Sequence, residues 1–237
     1  GSPDEWHGSI LGIPLKFEKK VVGVMSISRA STGEFTEENL RFLDLLAEQA
    51  AIAISNARMY AQVSKQAKSD TLTGLPNRRA LDEHLEEEIR SAHRTGYSFA
   101  TVMMDLDGFK DVNDKYGHPI GDRVLETLFS YLAQGLRTSD FLARYGGDEL
   151  TLVLRKSDLP ATKLVTDKIT EKLKKFSFPL PDGTKLNISL SGGIALYPIH
   201  GQTASQLLRA ADEALYRSKK HERGSFTIAR PPTGQLQ

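Results

Sequence analysis

Two mostly apolar, strand-like runs stand near the start of the chain, 10–15 and 21–27, parted by the charged Glu18, Lys19 and Lys20. Two such runs across a short charged connection predict an antiparallel hairpin. After a loop holding Ser31, Thr32 and Gly33, Thr36 stands before Glu37 and Glu38. That is an N-cap followed by acids suited to the positive end of a helix. From 40 to about 68 the chain has no Gly or Pro and is rich in Ala, Leu and Glu, which predicts one long helix. Within it Leu43, Leu46, Ala50, Ala53, Ala57 and Tyr60 recur at alternating steps of three and four. Such a seam predicts parallel pairing with a second copy in the later part, where small Ala residues permit close approach. The earlier part, 40–51, is expected to pack on the hairpin.

Beyond a joint at 66–70 the period changes repeatedly. Asp70-Thr-Leu-Thr-Gly-Leu-Pro-Asn77 has turn chemistry at Gly74, Pro76 and Asn77, and Asn77 can cap a helix over 78–94 that Gly96 ends. A strand is expected over 98–104. Helices follow over 111–117 and 122–136, broken by Gly117-His118-Pro119. The second carries the apolar stripe Val124, Leu125, Leu128, Leu132 and Leu136. Phe141 and Leu142 precede, and 151–154 follow, a Gly146-Gly147 pair, which reads as a hairpin with the glycines at its tip. An amphipathic, Lys-rich helix over 159–175 comes next. A central strand is expected over 186–196, stopped by Tyr197-Pro198, then a helix over 203–221 and a terminal strand at 226–228.

Composition changes this picture mostly by exclusion. With 31 basic and 30 acidic residues the net charge is +1, which argues against a dedicated nucleic-acid or membrane-surface binder. There is no cysteine, so disulfides and thiol chemistry are absent. No apolar run reaches membrane-spanning length. A cytoplasmic setting is expected, with no DNA, RNA or membrane partner for this stretch. Gly1-Ser2 reads as an expression scar, so a longer natural protein, with room for an upstream membrane segment, is expected.

Candidate chemistry gathers at two places. The strand ending in Asp105-Leu-Asp107 aims carboxylates at its end, and Asp148-Glu149 follow the Gly-Gly pair. Brought together on adjacent strands, Asp105 and Asp148 would form a two-carboxylate magnesium site for a nucleotide triphosphate. Asp148 and Glu149, starting the outgoing strand, are expected to point to opposite faces. Asp107 suits capping of the next helix. The bland alternative, a solvated turn bearing acids, stands beside this reading. Asn113, His118 and Asp122 could line a pocket for a purine edge, since Asp accepts from guanine N1 and N2 and an amide NH₂ serves O6 and N7.

Together RYGGDEL, MMDLDGFKDVNDKYGHPIGD, DTLTGLPNRRAL and ADEALYRSKK, in this order, resemble the GGDEF family of diguanylate cyclases over about 70–228. The N-terminal stretch, from SILGIPLKF to the helix, is similar to the C-terminal half of a GAF sensory domain. The resemblance implies an α+β fold: a mostly antiparallel five-stranded sheet flanked by helices, like the palm of nucleotide cyclases and polymerases. It divides the chain into a partial GAF domain (1–62), a stalk (63–69), a cyclase domain (70–230) and a tail (231–237).

It also implies the reaction 2 GTP → cyclic di-GMP + 2 pyrophosphate across a homodimer, with two Mg²⁺ or Mn²⁺ per active site. Asp105, Asp148 and the Leu106 carbonyl would hold the metals. Asp148, Glu149 and Lys110 would be catalytic. GTP would meet Phe109, Asn113, His118, Asp122, Gly146, Gly147, Lys219 and Arg223. Arg137 and Asp140, an R-x-x-D five residues before the Gly pair at its near end, would bind cyclic di-GMP as inhibitor, and Lys168 falls where some relatives keep a secondary Arg. Glu222-Arg223-Gly224 departs from the family's Gly-Arg-Asn, and Leu150 replaces its Phe. Two alternatives stay beside the enzyme: a silent receptor for GTP or cyclic di-GMP, and a dimerising signalling module.

Overall fold

The computed structural model describes residues 8–30, 33, 35–66 and 68–232, the side chains of 60–66 excepted. Gly1-Ser2, Ser31, Thr32 and the Tyr60 side chain, all used above, lie outside the described residues. The chain divides into two compact units, Gly1–Ala67 and Lys68–Gln237.

In the first unit β1 (Ser9–Phe17) pairs antiparallel with β2 (Lys20–Arg29), turning at Glu18 with φ 53°. Alternation sends Leu11, Ile13, Leu15 and Phe17 to one face, where α1 (Glu37–Gln66) lies. Thr36 accepts a hydrogen bond from the Asn39 amide at 3.2 Å, the expected N-cap. The helix packs on the hairpin through Leu43, Ala47, Ala50, Ala51 and Ile54. This corrects the expected packing stretch: Leu40 and Leu46 are exposed, because the buried stripe is turned from the seam read in the sequence. Of that seam, Leu46, Ala53 and Ala57 face away from the hairpin, beside exposed Leu45, Ile52 and Met59.

The second unit is a five-stranded sheet in the order β4-β5-β3-β8-β9, antiparallel except for the β8–β9 pair. Its strands are β3 (Phe99–Leu106), β4 (Phe141–Gly146), β5 (Glu149–Leu154), β8 (Leu190–Tyr197) and β9 (Phe226–Ile228). The short pair β6 (Phe178–Pro179) and β7 (Lys185–Leu186) stands apart, so the single strand expected over 186–196 is divided, with Leu186 in β7 and the central strand starting at Leu190. Central β3 is buried along its whole length, which explains its unbroken apolar run. Its even-numbered residues, with Leu150, Leu152 and Leu154, face α3 (Phe109–Tyr116), α4 (His118–Ala133) and α5 (Leu159–Lys174). Its odd-numbered ones, with Val153 and Ala195, face α2 (Arg78–Thr95) and α6 (Ala204–His221).

Local signals account for the helix ends. Asn77 caps α2 through Ala80 N–H, Gly96 ends it in the left-handed region, and a capping box of Thr203 and Gln206 opens α6. α4 stops at Ala133, short of the expected 136, and two other boundaries differ from expectation for a visible reason. Gly117 alone separates α3 from α4, because Pro119 sits in the first turn, where its missing N–H costs nothing. β3 runs on to Leu106 because neighbours on both sides pair with its end.

α6 lies close to β8 because Gly193 has no side chain: a Cβ there would stand 1.9 Å from the Ala211 carbonyl oxygen and 2.3 Å from the Leu215 nitrogen. Backbone cannot swing aside as a side chain can. Gly193→Ala is expected to destabilise the domain by about 2 kcal/mol, measured by urea unfolding. No helix among the described residues is long and apolar enough to cross a membrane.

Candidate active site

The carboxylates collect at one end of the sheet, where β3 finishes and β5 begins. Antiparallel register sets Asp105 directly opposite Glu149 and, on its other side, opposite Ser191. Asp105 and Glu149 share the α6 face, since alternation puts both with Met103 and Val153. Asp148 belongs to the turn, not to the strand as expected, because pairing resumes only at Glu149. Gly147 makes that turn with φ 39°.

The site is short of positive charge. Lys219, near the end of α6, places its ammonium 2.6 Å from Asp105. Burial pushes the Asp105 carboxyl up nonetheless, helped by the charges of Asp148 and Asp107 and opposed by Lys219. Burial also raises Glu149, followed by Asp105, Asp148 and Asp212. Crowded, partly desolvated acids with hard oxygen donors are the chemistry that a divalent cation relieves, so the residues fit such an ion. Among the described residues no three acidic or imidazole side chains form a ready cage.

Asp107 corrects an expectation. The N-cap of α3 is Gly108, which has no side-chain cap, while the Asp107 carboxylate accepts from Ser189 (2.7 Å), Ser191 (2.7 Å) and the Gly224 amide (3.0 Å). It latches the end of β3 to the loop after α6 that carries Arg223, itself exposed. The Phe109 and Leu106 side chains are buried in the core. Each therefore has only backbone groups to offer a ligand, Phe109 at the start of α3.

Lys110 is exposed in the first turn of α3. On the opposite side of the sheet from α6, α3 and α4 bring together half-buried Asn113 and exposed His118 and Asp122. Asn113, His118 and Asp122 and the carboxylates thus flank the same sheet end from its two faces. Arg137 and Asp140 lie away from it, in the turn before β4, whose Phe141 pairs with Val153. The five-residue run of β4 and its turn separate them from the Gly pair by roughly 17 Å at strand rise. Asp140 accepts from the Arg137 amide at 3.0 Å, and the Arg137 side chain is exposed.

The sequence reading assigned no role to Arg144, the first residue of RYGGDEL. Its side chain donates to the Gly147 carbonyl (2.9 Å) and to Asp70 (2.8 Å), and its amide donates to Pro76 (2.8 Å). Arg78 lies over the Tyr145 ring, 4.7 Å from its centre. The entry segment is therefore tied to the Gly147 turn at several points. An Arg just before a glycine turn was the available signal, but its partner lies 74 residues away.

Comparison with known proteins agrees with this geometry. The family model described as "Diguanylate cyclase, GGDEF domain" matches residues 67–225, and a GAF domain model matches 2–55. Diguanylate cyclase A of Treponema denticola is 30% identical over 92% of this chain and 59% of its own length. The crystal structure of the GGDEF domain of PA1120 (YfiN or TpbB) from Pseudomonas aeruginosa superposes with a TM-score of 0.63 at 38% identity, covering 67% of this chain and 98% of that one. The coiled coil and GGDEF domain of DgcB from Caulobacter crescentus, solved in complex with c-di-GMP, gives 0.70 at 27% identity over 79% of this chain and 99% of that one. The chain spans 26% and 59% of the length of the first two curated relatives it matches. With its four motifs gathered round one sheet end and its fold shared with these structures, the chain belongs to the GGDEF family of diguanylate cyclases.

Proposed function

We propose that the protein condenses two GTP into cyclic di-GMP, releasing two pyrophosphates, in a homodimer whose subunits each hold one GTP. The observation that carries this reading is Asp105 set opposite Glu149, with Asp148 in the adjoining Gly147 turn. Mg²⁺ or Mn²⁺, two per site, would be held by Asp105, Asp148 and the Leu106 carbonyl, with phosphates and water completing the coordination; bound there, it polarises the phosphates and acidifies the attacking hydroxyl.

Asn113 and Asp122 read the guanine edge, with His118 toward the ribose or phosphate. Gly146 and Gly147 let the nucleotide approach the backbone, and the Phe109 N–H lies at a helix start suited to phosphate. Lys219 and Arg223 hold the triphosphate, and Lys110 stabilises charge building on it. Asp148, supported by Glu149, takes the proton from the 3′-hydroxyl of one GTP. That oxygen bonds to the α-phosphorus of the other as the bond to the β-phosphate oxygen breaks. Repetition at the second site closes the ring. A lone subunit presents one substrate and is inactive. Exposed Leu46, Ala53 and Ala57 on α1 support pairing with a second copy. The pool of GTP sets the enzyme in the cytoplasm.

The test is chromatography of nucleotides before and after incubation with GTP and Mg²⁺ at concentrations that sustain the dimer. Cyclic di-GMP and pyrophosphate are expected. Metal-dependent GTP binding without product, persisting in Arg137→Ala, would leave a receptor instead. Arg137, exposed far from the carboxylates, serves as the inhibitory site for product together with Asp140. Arg137→Ala is expected to raise the product concentration for half inhibition at least tenfold, while turnover at low product stays the same. Unchanged inhibition in that variant counts against the R-x-x-D site.

A further inference from the structure

Gly121 lies in the first turns of α4, where alanine is the better helix former. It has no positive φ to justify a glycine. Space is what justifies it. A Cβ on Gly121 would stand 1.9 Å from Asn113 Oδ1, 3.0 Å from Asn113 Cγ and 3.2 Å from Phe109 Cζ. Gly121 itself is buried, so the pocket it leaves is filled by the Asn113 amide. Among the described residues no hydrogen bond holds that amide, so packing sets its rotamer. Phe109, buried in the core, backs it from the side of α3. The Asn113 carbonyl accepts from Gly117 N–H at 2.9 Å, and Gly121 N–H bonds to the Gly117 carbonyl at 3.2 Å. The two helix ends thus meet at Gly117 in a fixed relation.

From this geometry we infer that Gly121 is a positioning residue for base selection, the vacant side chain on α4 that holds the Asn113 amide at the angle needed for the purine 6-position. The inference rests on the proposed role of Asn113 toward guanine O6 and N7. A methyl group at 121 displaces the flexible amide sooner than the helix, so recognition suffers while the fold holds. Asp122, the next residue, turns to the N1 and N2 edge and keeps its place. The loss is therefore confined to one edge of the base.

The experiment measures dissociation constants for GTP, inosine triphosphate and 2-aminopurine riboside triphosphate, with melting temperatures alongside. Four proteins are compared: wild type, Gly121→Ala, Asn113→Ala and the double variant. Gly121→Ala is expected to weaken GTP about tenfold, the scale of one well-placed hydrogen bond. Its preference for GTP over the 2-aminopurine nucleotide, which lacks O6, should fall by the same factor. Its preference for GTP over the inosine nucleotide, which lacks only the 2-amino group, should not change. In the Asn113→Ala background the same substitution is expected to change GTP affinity less than twofold, since the displaced group is gone. Equal losses in both backgrounds, unchanged base preference, or a single variant that fails to fold would each overturn the inference. If Asn113→Ala alone leaves base preference intact, the guanine role of Asn113 fails first, and the inference with it.

Discussion

Asp148→Ala is expected to lower cyclic di-GMP production by about a thousandfold, at the upper end for removing a group that acts on developing charge. Its fold should be undamaged. Asp148 is a half-exposed turn residue that donates no packing to the core. Its charge raises the carboxyls of Asp105 and Glu149, so removing it relieves repulsion. Melting temperature should therefore stay level or rise as activity disappears. Opposite movement of stability and turnover marks a functional acid, whereas a structural acid loses both. The assay is chromatography of nucleotides over a time course, with melting followed by circular dichroism. Normal turnover in this variant would sink the cyclase reading as drawn.

Arg144→Ala is expected to cost about 3 kcal/mol of stability and to reduce turnover as well. The Arg144 and Asp70 side chains are only 13% and 21% exposed, so cutting the pair strands a charge in a poorly solvated place. The Gly147 carbonyl loses its anchor at the same stroke, which frees the turn that carries Asp148. Lys at 144 should not rescue, because one ammonium cannot serve both partners as the guanidinium fork does. Asp70→Ala added to Arg144→Ala should cost far less than the sum of the single losses, and strict additivity would deny the coupling.

The pair also has a pH signature. Burial pushes the Asp70 carboxyl up, but hydrogen bonds from Thr73 and Arg144 outweigh it and hold the carboxyl below its usual range. A depressed native pKa means stability that is present above the unfolded value and lost as pH falls through the folded one. Wild type and Asp70→Asn should thus differ in urea stability by a gap that holds from neutral pH down to about pH 4 and closes as pH falls further. A gap that stays constant well below pH 4 would mean the ionised carboxylate contributes nothing.

Much of this was legible because the signals are local. Asn77, Gly96 and Thr203 act within one turn of themselves, so their helix ends were readable. The glycine turn and the Asp-x-Asp at a strand end were readable for the same reason, and a candidate metal site followed. Two readings went astray where a distant partner decides. Asp107 looked like a helix cap until Ser189, Ser191 and Gly224 claimed its oxygens. Asp148 looked like a strand residue, and the register of β4 on β5 leaves it in the turn.

By itself, then, the sequence determined the periodicities, the caps, the turns and the residue types able to carry phosphate and metal chemistry, since each depends on neighbours a few positions away. Only the tertiary structure decided which acids share a face, that α3 and α4 and the carboxylates flank one sheet end, and that Arg144 reaches back to Asp70. It also revealed why Gly121 and Gly193 have no side chains. Strand order, register and close approach are set by pairings far apart along the chain, and no local pattern encodes the distance between two atoms that meet only after folding.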